Sequence, residues 1–460
     1  MTLPDSLTIN AFNGRAVPSG ELEKDGGKWA LRNAPGSVKR FLKEVPRPDP
    51  WKWQHPEIGW GLVVAEPPGA KSADMKANAD LPQCLLDLVA ERGNAPVLRF
   101  RESSDKRYTL LRNWQDGKDL DMNASAAGTK TGQIPAFLMI WGTPEEIPWR
   151  VQYQLEAGGK RFVGRVPLKD KKLENYVNAL RSGWSGSKSD PHAPLVWATD
   201  HSSSDISALM RASIAEPLYA AFTRNSDLQP YLLAGAGQAS QANLILALSQ
   251  KRPGMVVTTS HGFTGPLDDA AQLKQNLGLL VDQQNSMIAL DALFKEWQPD
   301  GAIWYAHACC SAGCDESSSF DGLLKAGSEI DNTLKAVAGL GSRVASLAEQ
   351  LLGAEKPARA FLGHVEPAFN WTLQQPATGQ FLTSTLETAR REIYLGHPCG
   401  YAFGDWHARY GTHTAAYESY KSDYDGSETI QARMLYQRLV AQDVRTLVLL
   451  GDPTVALPIE

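Results

Sequence analysis

At 460 residues the chain can bury sizeable cores and hold more than one domain, or one domain built of two halves. Its hydrophobic content of 43% and charged content of 21% are those of an ordinary globular protein, and a formal net charge of −5 with scattered Lys and Arg excludes a basic field for nucleic acid or anionic lipid. No run approaches the ~18 apolar residues of a membrane helix, the first residues lack a basic-then-apolar leader, and five unevenly placed cysteines exclude a disulfide framework. A reducing, cytoplasmic setting is expected, with neither nucleic acid nor membrane as partner.

Residues 1–80 are rich in Pro, Gly and Trp, and Trp29, Trp51, Trp53 and Trp60 predict an ordered wrapping segment. Trp60–Ala65 reads as a strand and Leu81–Arg92 as a helix. Residues 115–133 are polar and loop-like, Ala136–Trp141 is a buried strand, and Leu173–Arg181 a short helix. Ser182–Pro191 is the best linker, so 81–190 are expected to form a smaller α/β half and 191–460 the main domain.

Beyond the linker, short apolar runs alternate with amphipathic stretches. Strands are predicted at Leu195–Thr199, Tyr231–Ala234, Met255–Thr259, Ala302–Ala306, Ala360–Gly363 and Thr446–Leu450. Helices are predicted over 204–223, 238–250, 268–296, 335–353, 378–394 and 428–441. Residues 401–424, aromatic and polar, read as a mobile flap. The fold class is α/β: a mostly parallel central sheet with helices on both faces.

Two strands end in reactive side chains. One runs into His261-Gly262, the other into Cys309-Cys310-Ser311-Ala312-Gly313. Ligands of open α/β sheets bind outside the carboxyl ends of strands, so neighbouring parallel strands would bring an imidazole and a thiol to one rim. A thiol is mostly protonated at neutral pH, and an adjacent imidazole supplies thiolate and later protonates a leaving amine. Gly262 and Gly313 permit close backbone approach, and the Gly262 and Cys310 N–H groups are natural donors to an oxyanion.

A strand ending in His-Gly paired with one ending in Ala-Cys-X-X-Gly resembles the caspase-like (clan CD) cysteine peptidases. That group includes caspases, metacaspases, separases, gingipains and CHAT-domain proteases. His261 and Cys310 lie 49 residues apart, against the ~50 of caspases. Gly235 to Leu244 is similar to the CHAT helix region, Leu449-Leu-Gly-Asp-Pro453 to the close of CHAT and gingipain domains, and Phe137–Pro148 with Val163–Pro167 to the first half of gingipains. Alignment of Ala308–Gly313 with the metacaspase and CHAT runs selects Cys310 as nucleophile and His261 as its partner.

The resemblance implies a thiol endopeptidase acting on protein or peptide through an acyl-thioester. It needs no cofactor or metal and answers to a regulatory partner, by analogy in a bacterial defence or cell-death pathway. Cys309, one place along the strand, is expected on the opposite face as a small buried residue. Asp200, and more weakly Asp205, are candidates to bind an Arg or Lys before the cleaved bond; a helix cap is the bland alternative for each. Glu366 could orient His261, and His364 could line the cleft. His307 with the cysteines lacks zinc-ligand spacing and reads as a core histidine. A catalytically silent scaffold, or an amidase or transpeptidase using the same dyad, stays open.

Overall fold

The computed structural model describes residues 6–21, 48–102, 110–375 and 378–459. Trp29 lies outside them. Trp51 stacks on His397, and Trp53 and Trp60 sandwich the Arg92 guanidinium, so these three Trp do wrap the core.

Twelve strands form one continuous sheet. Its spatial order is Tyr231–Ala234, Leu195–Ala198, Met255–Thr259, Ile303–His307, Ala360–His364, Leu447–Gly451, Phe162–Val166, Phe137–Trp141, Trp60–Ala65, Val97–Arg101, Leu110–Asn113, Lys118–Asp121. The first five are parallel; Leu447–Gly451 runs antiparallel to Ala360–His364. Pairing is parallel again from there to Val97–Arg101, and two antiparallel strands close the far edge. The last of these, Lys118–Asp121, falls inside the stretch expected to be a loop. Its Lys-Asp-Leu-Asp sequence suits an edge that needs only one buried side chain, Leu120.

Helices cover both faces. One face of the second half carries 206–223, Ser384–Tyr394, Gly404–Ser422 and Glu428–Arg445, and the other carries Gln241–Lys251 and Leu290–Glu296. In the first half Gln83–Glu91 packs with Leu62, Phe137 and Phe162, and Trp149–Glu156 packs with Val63, Leu138 and Val163 on the opposite face. The long stretch 268–296 is two short helices, Ala270–Asn276 and Leu290–Glu296, because Gly278 at positive φ breaks the helical path. Residues 401–424 are not a flap. Trp406, His407, Tyr410, Thr414 and Tyr417 recur at helical spacing and are buried against the helix that follows.

The stretch around Ser182 turns the chain without freeing it. Trp184 is buried beneath Arg359 and donates its indole N–H to the Pro357 carbonyl. The two halves meet at Leu447–Gly451. The Asp452 that follows is fully buried, accepts from Trp60 Nε1 at 2.9 Å and Arg92 Nη1 at 3.2 Å, and its amide donates to Tyr176 Oη. The Gly-Asp-Pro run thus ties the last strand to the first half. Asp452→Ala leaves an arginine and an indole N–H without their partner, and the expected loss of unfolding free energy is about 3 kcal/mol. A denaturant titration showing a loss below about 0.5 kcal/mol would contradict this role.

Candidate functional site

The strands Met255–Thr259 and Ile303–His307 are neighbours, in register from Met255 opposite Ile303 to Thr259 opposite His307. Their ladder ends where the Ser260 amide donates to the His307 carbonyl. Beyond that bond the chains splay apart, and His261 and Cys309 follow at matching places.

Side-chain alternation puts Tyr305 and His307 on the face covered by the helix Glu428–Arg445. Cys309 stays on that face. Burial pushes its thiol well above the ordinary value, a backbone bond at Ala368 opposes this, and the Asp443 carboxyl on that helix adds to it. Burial and the same Asp443 also raise the Tyr305 hydroxyl. The Cys309 sulfur lies 3.2 Å from the Ala368 amide nitrogen, which donates to it.

His261 is fully buried on this face too. Its Nε2 lies 3.0 Å from Asp205 Oδ1, at the start of the helix Ile206–Met210. A carboxylate only accepts, so Nε2 carries the proton and Nδ1 is left as the basic nitrogen. Nδ1 is buried without a hydrogen-bond partner. Burial works to raise the Asp205 pKa, but the His261 bond and charge, with Ser207, hold the carboxyl well below the usual range. The His201 ring stacks on His261 at 5.3 Å, and burial followed by the His261 charge lowers its pKa.

The two amides expected to donate to an oxyanion do not point to one place. The Cys310 amide donates to the Glu366 carbonyl at 3.0 Å, away from Gly262. The amides of Gly262 and Cys309 converge instead on one oxygen, the Asn10 carbonyl, each at 3.1 Å. The reason is local. A turn closes with the Ser311 amide on the Ala308 carbonyl, and Cys310 takes φ +56 within it, so strict alternation ends at Cys309. Burial, then Cys309, Cys314 and Glu366, push the Cys310 thiol well above its ordinary value. Gly262 is obligatory here because a Cβ would stand 1.8 Å from the Cys309 carbonyl oxygen.

Other sequence candidates fall elsewhere. Asp200 pairs with Arg211 at 3.1 Å, so its charge is already matched and it offers no free acid to a basic substrate residue. Asp205 caps its helix through the Ser207 amide while its carboxylate also holds His261. Glu366 turns its carboxylate to the Ser319 amide, and His364 is buried between Thr446 and His307. His307 is buried against Tyr305 Oη, a core histidine. Asn10 carried no signal in the sequence, because a single polar residue in an irregular stretch announces nothing about its neighbours. Comparisons with protein-family models, curated proteins and solved structures find no match.

Burial raises the Glu366 carboxyl from its ordinary 4.5 to about 7, against the opposing charge of Arg445. The folded chain therefore keeps this proton over a range where the unfolded chain has lost it. The contribution is complete below the ordinary value and lost as pH rises through 7, a cost of about 3 kcal/mol at high pH. Glu366→Gln should leave the melting midpoint unchanged near about pH 4.5 and raise it at about pH 8. A midpoint lowered at the higher pH would contradict the shift.

Proposed function

We propose that the chain is a caspase-like cysteine peptidase in which His261 and a thiol at the tip of the neighbouring strand cleave a peptide bond. The observation that carries this reading is the convergence of the Gly262 and Cys309 amides on a single carbonyl oxygen, beside a buried imidazole whose other nitrogen is held by Asp205. Two backbone donors aimed at one acyl oxygen are what a tetrahedral intermediate requires, and each such donor is worth a few kcal/mol.

An acyl-transfer nucleophile commonly supplies one of the oxyanion donors from its own amide. That favours Cys309 over Cys310, against the expectation from the aligned motif. In the proposed reaction the sulfur attacks the scissile carbonyl carbon, the C–S bond forms, and His261 passes the thiol proton to the departing amine as the C–N bond breaks. Water then hydrolyses the thioester, with His261 taking its proton. No preference for Arg or Lys before the cleaved bond is supported, because Arg211 already neutralises Asp200.

New amino termini released from a peptide library over hours test the reading. Cys309→Ala and His261→Ala should each lower the rate at least about 10³-fold, and Cys310→Ala less than about tenfold. Loss confined to Cys310→Ala would return the nucleophile to Cys310. Ligated products in place of new termini would mark a transpeptidase, and no turnover in any form a scaffold. Asp205→Ala should lower kcat about 10²-fold and shift the acidic limb of the pH profile, because the imidazole loses the partner that sets its tautomer. An unmoved limb would leave Asp205 a helix cap alone.

A further inference from the structure

The acyl-oxygen position of the proposed site is occupied by the protein itself. Residues Ile9–Phe12 run through the gap between the splayed strands with a bend at Asn10, and Ile9, Asn10 and Ala11 are fully buried there. They belong to no strand of the twelve-stranded sheet. Ala11 and Phe12 pair in parallel with Gly262 and Phe263, and Ile9 bridges Phe369 on the opposite wall. The Asn10 amide donates to the Ala368 carbonyl, and the Thr264 amide donates to the Phe12 carbonyl.

The Asn10 side chain completes the plug. Its Nδ2 donates to the Ser260 carbonyl at 2.6 Å and the His307 carbonyl at 3.3 Å, the last backbone acceptors on the two strands, and lies 3.0 Å from Met210 Sδ. A strand added between two exposed backbone edges is how a peptide is commonly bound, with main-chain bonds giving affinity. Here the added strand comes from the same chain.

We propose that the Ile9–Asn13 segment is an autoinhibitory strap that takes the place of substrate backbone in the cleft. Resting on the peptidase reading above, the inference adds its regulation. Mutual exclusion carries it: no substrate carbonyl can reach the Gly262 and Cys309 amides while the Asn10 oxygen accepts from both. The strap also seals the Cys309 thiol from water, beside an Ala368 whose carbonyl already binds the Asn10 amide. Activation is withdrawal of the strap, which frees both amides together and opens the groove between Gly262–Phe263 and Ala368–Phe369. The substrate it admits is an extended peptide lying parallel to Gly262–Phe263.

Two full-length variants test this. Ala11→Asp sets a charge in a fully buried place, and Phe12→Ala removes the ring that packs on Phe263 at 6.0 Å. Iodoacetamide labelling of Cys309, located by peptide mapping, and library hydrolysis are measured beside the unaltered chain. Both variants should label and hydrolyse at least about tenfold faster, and a synthetic peptide of residues 8–13 should slow them again. An unaltered chain as active and as readily labelled as both variants overturns the strap and leaves the peptidase reading standing. Absence of labelling and hydrolysis in all three overturns both.

Discussion

The site depends on how two parallel strands part company. Through five registered pairs the backbones of Met255–Thr259 and Ile303–His307 satisfy one another, and one bond later they no longer can. Every amide and carbonyl beyond that point needs another partner, because buried backbone groups are seldom left unpaired. The partner is Asn10, which accepts two amides with its carbonyl and donates to two carbonyls with its side chain. The wedge that satisfies the splay is therefore also what stands in the cleft.

The same constraint sets the electrostatics. With the cleft filled, both thiols are dry and held protonated, while His261 keeps a fixed tautomer through Asp205. On the proposed reading, thiol and imidazole would gain reactivity only once water and a polar substrate replaced the wedge, since burial alone disfavours thiolate. Rigid support comes from further off. The face that carries His261 is packed under the helices 206–223 and Glu428–Arg445, and Asp452 fastens the sheet behind them to the first half.

Much of this architecture was legible from residue pattern. The fully buried strands announce themselves as short apolar runs, and the sheet is continuous because each is buried on both faces. His261 and the cysteine pair stand just past the ends of neighbouring parallel strands, as their place in the sequence implied. What pattern could not supply was the turn at Ala308–Ser311. Period-two alternation assumes extended backbone, and a left-handed Cys310 ends that assumption one residue earlier than the aligned motif implies. The helix Gly404–Ser422 was hidden by glycines, threonines and tyrosines of modest helix propensity, and tertiary packing overrides them. Asp205 looked like a cap or a specificity acid, and it does the first while holding an imidazole 56 residues away.

On the proposed reading, His261 and Cys309 leave adjacent strands on the same side of the sheet, within reach of one another. Replacing His261 by cysteine in the full chain and oxidising it turns that claim into a covalent readout, because a disulfide forms only between Cα atoms within about 7 Å. Peptide mass mapping should find a bridge joining positions 261 and 309. A bridge to Cys310 instead, or none under conditions where a thiol reagent reaches the cleft, would contradict the account.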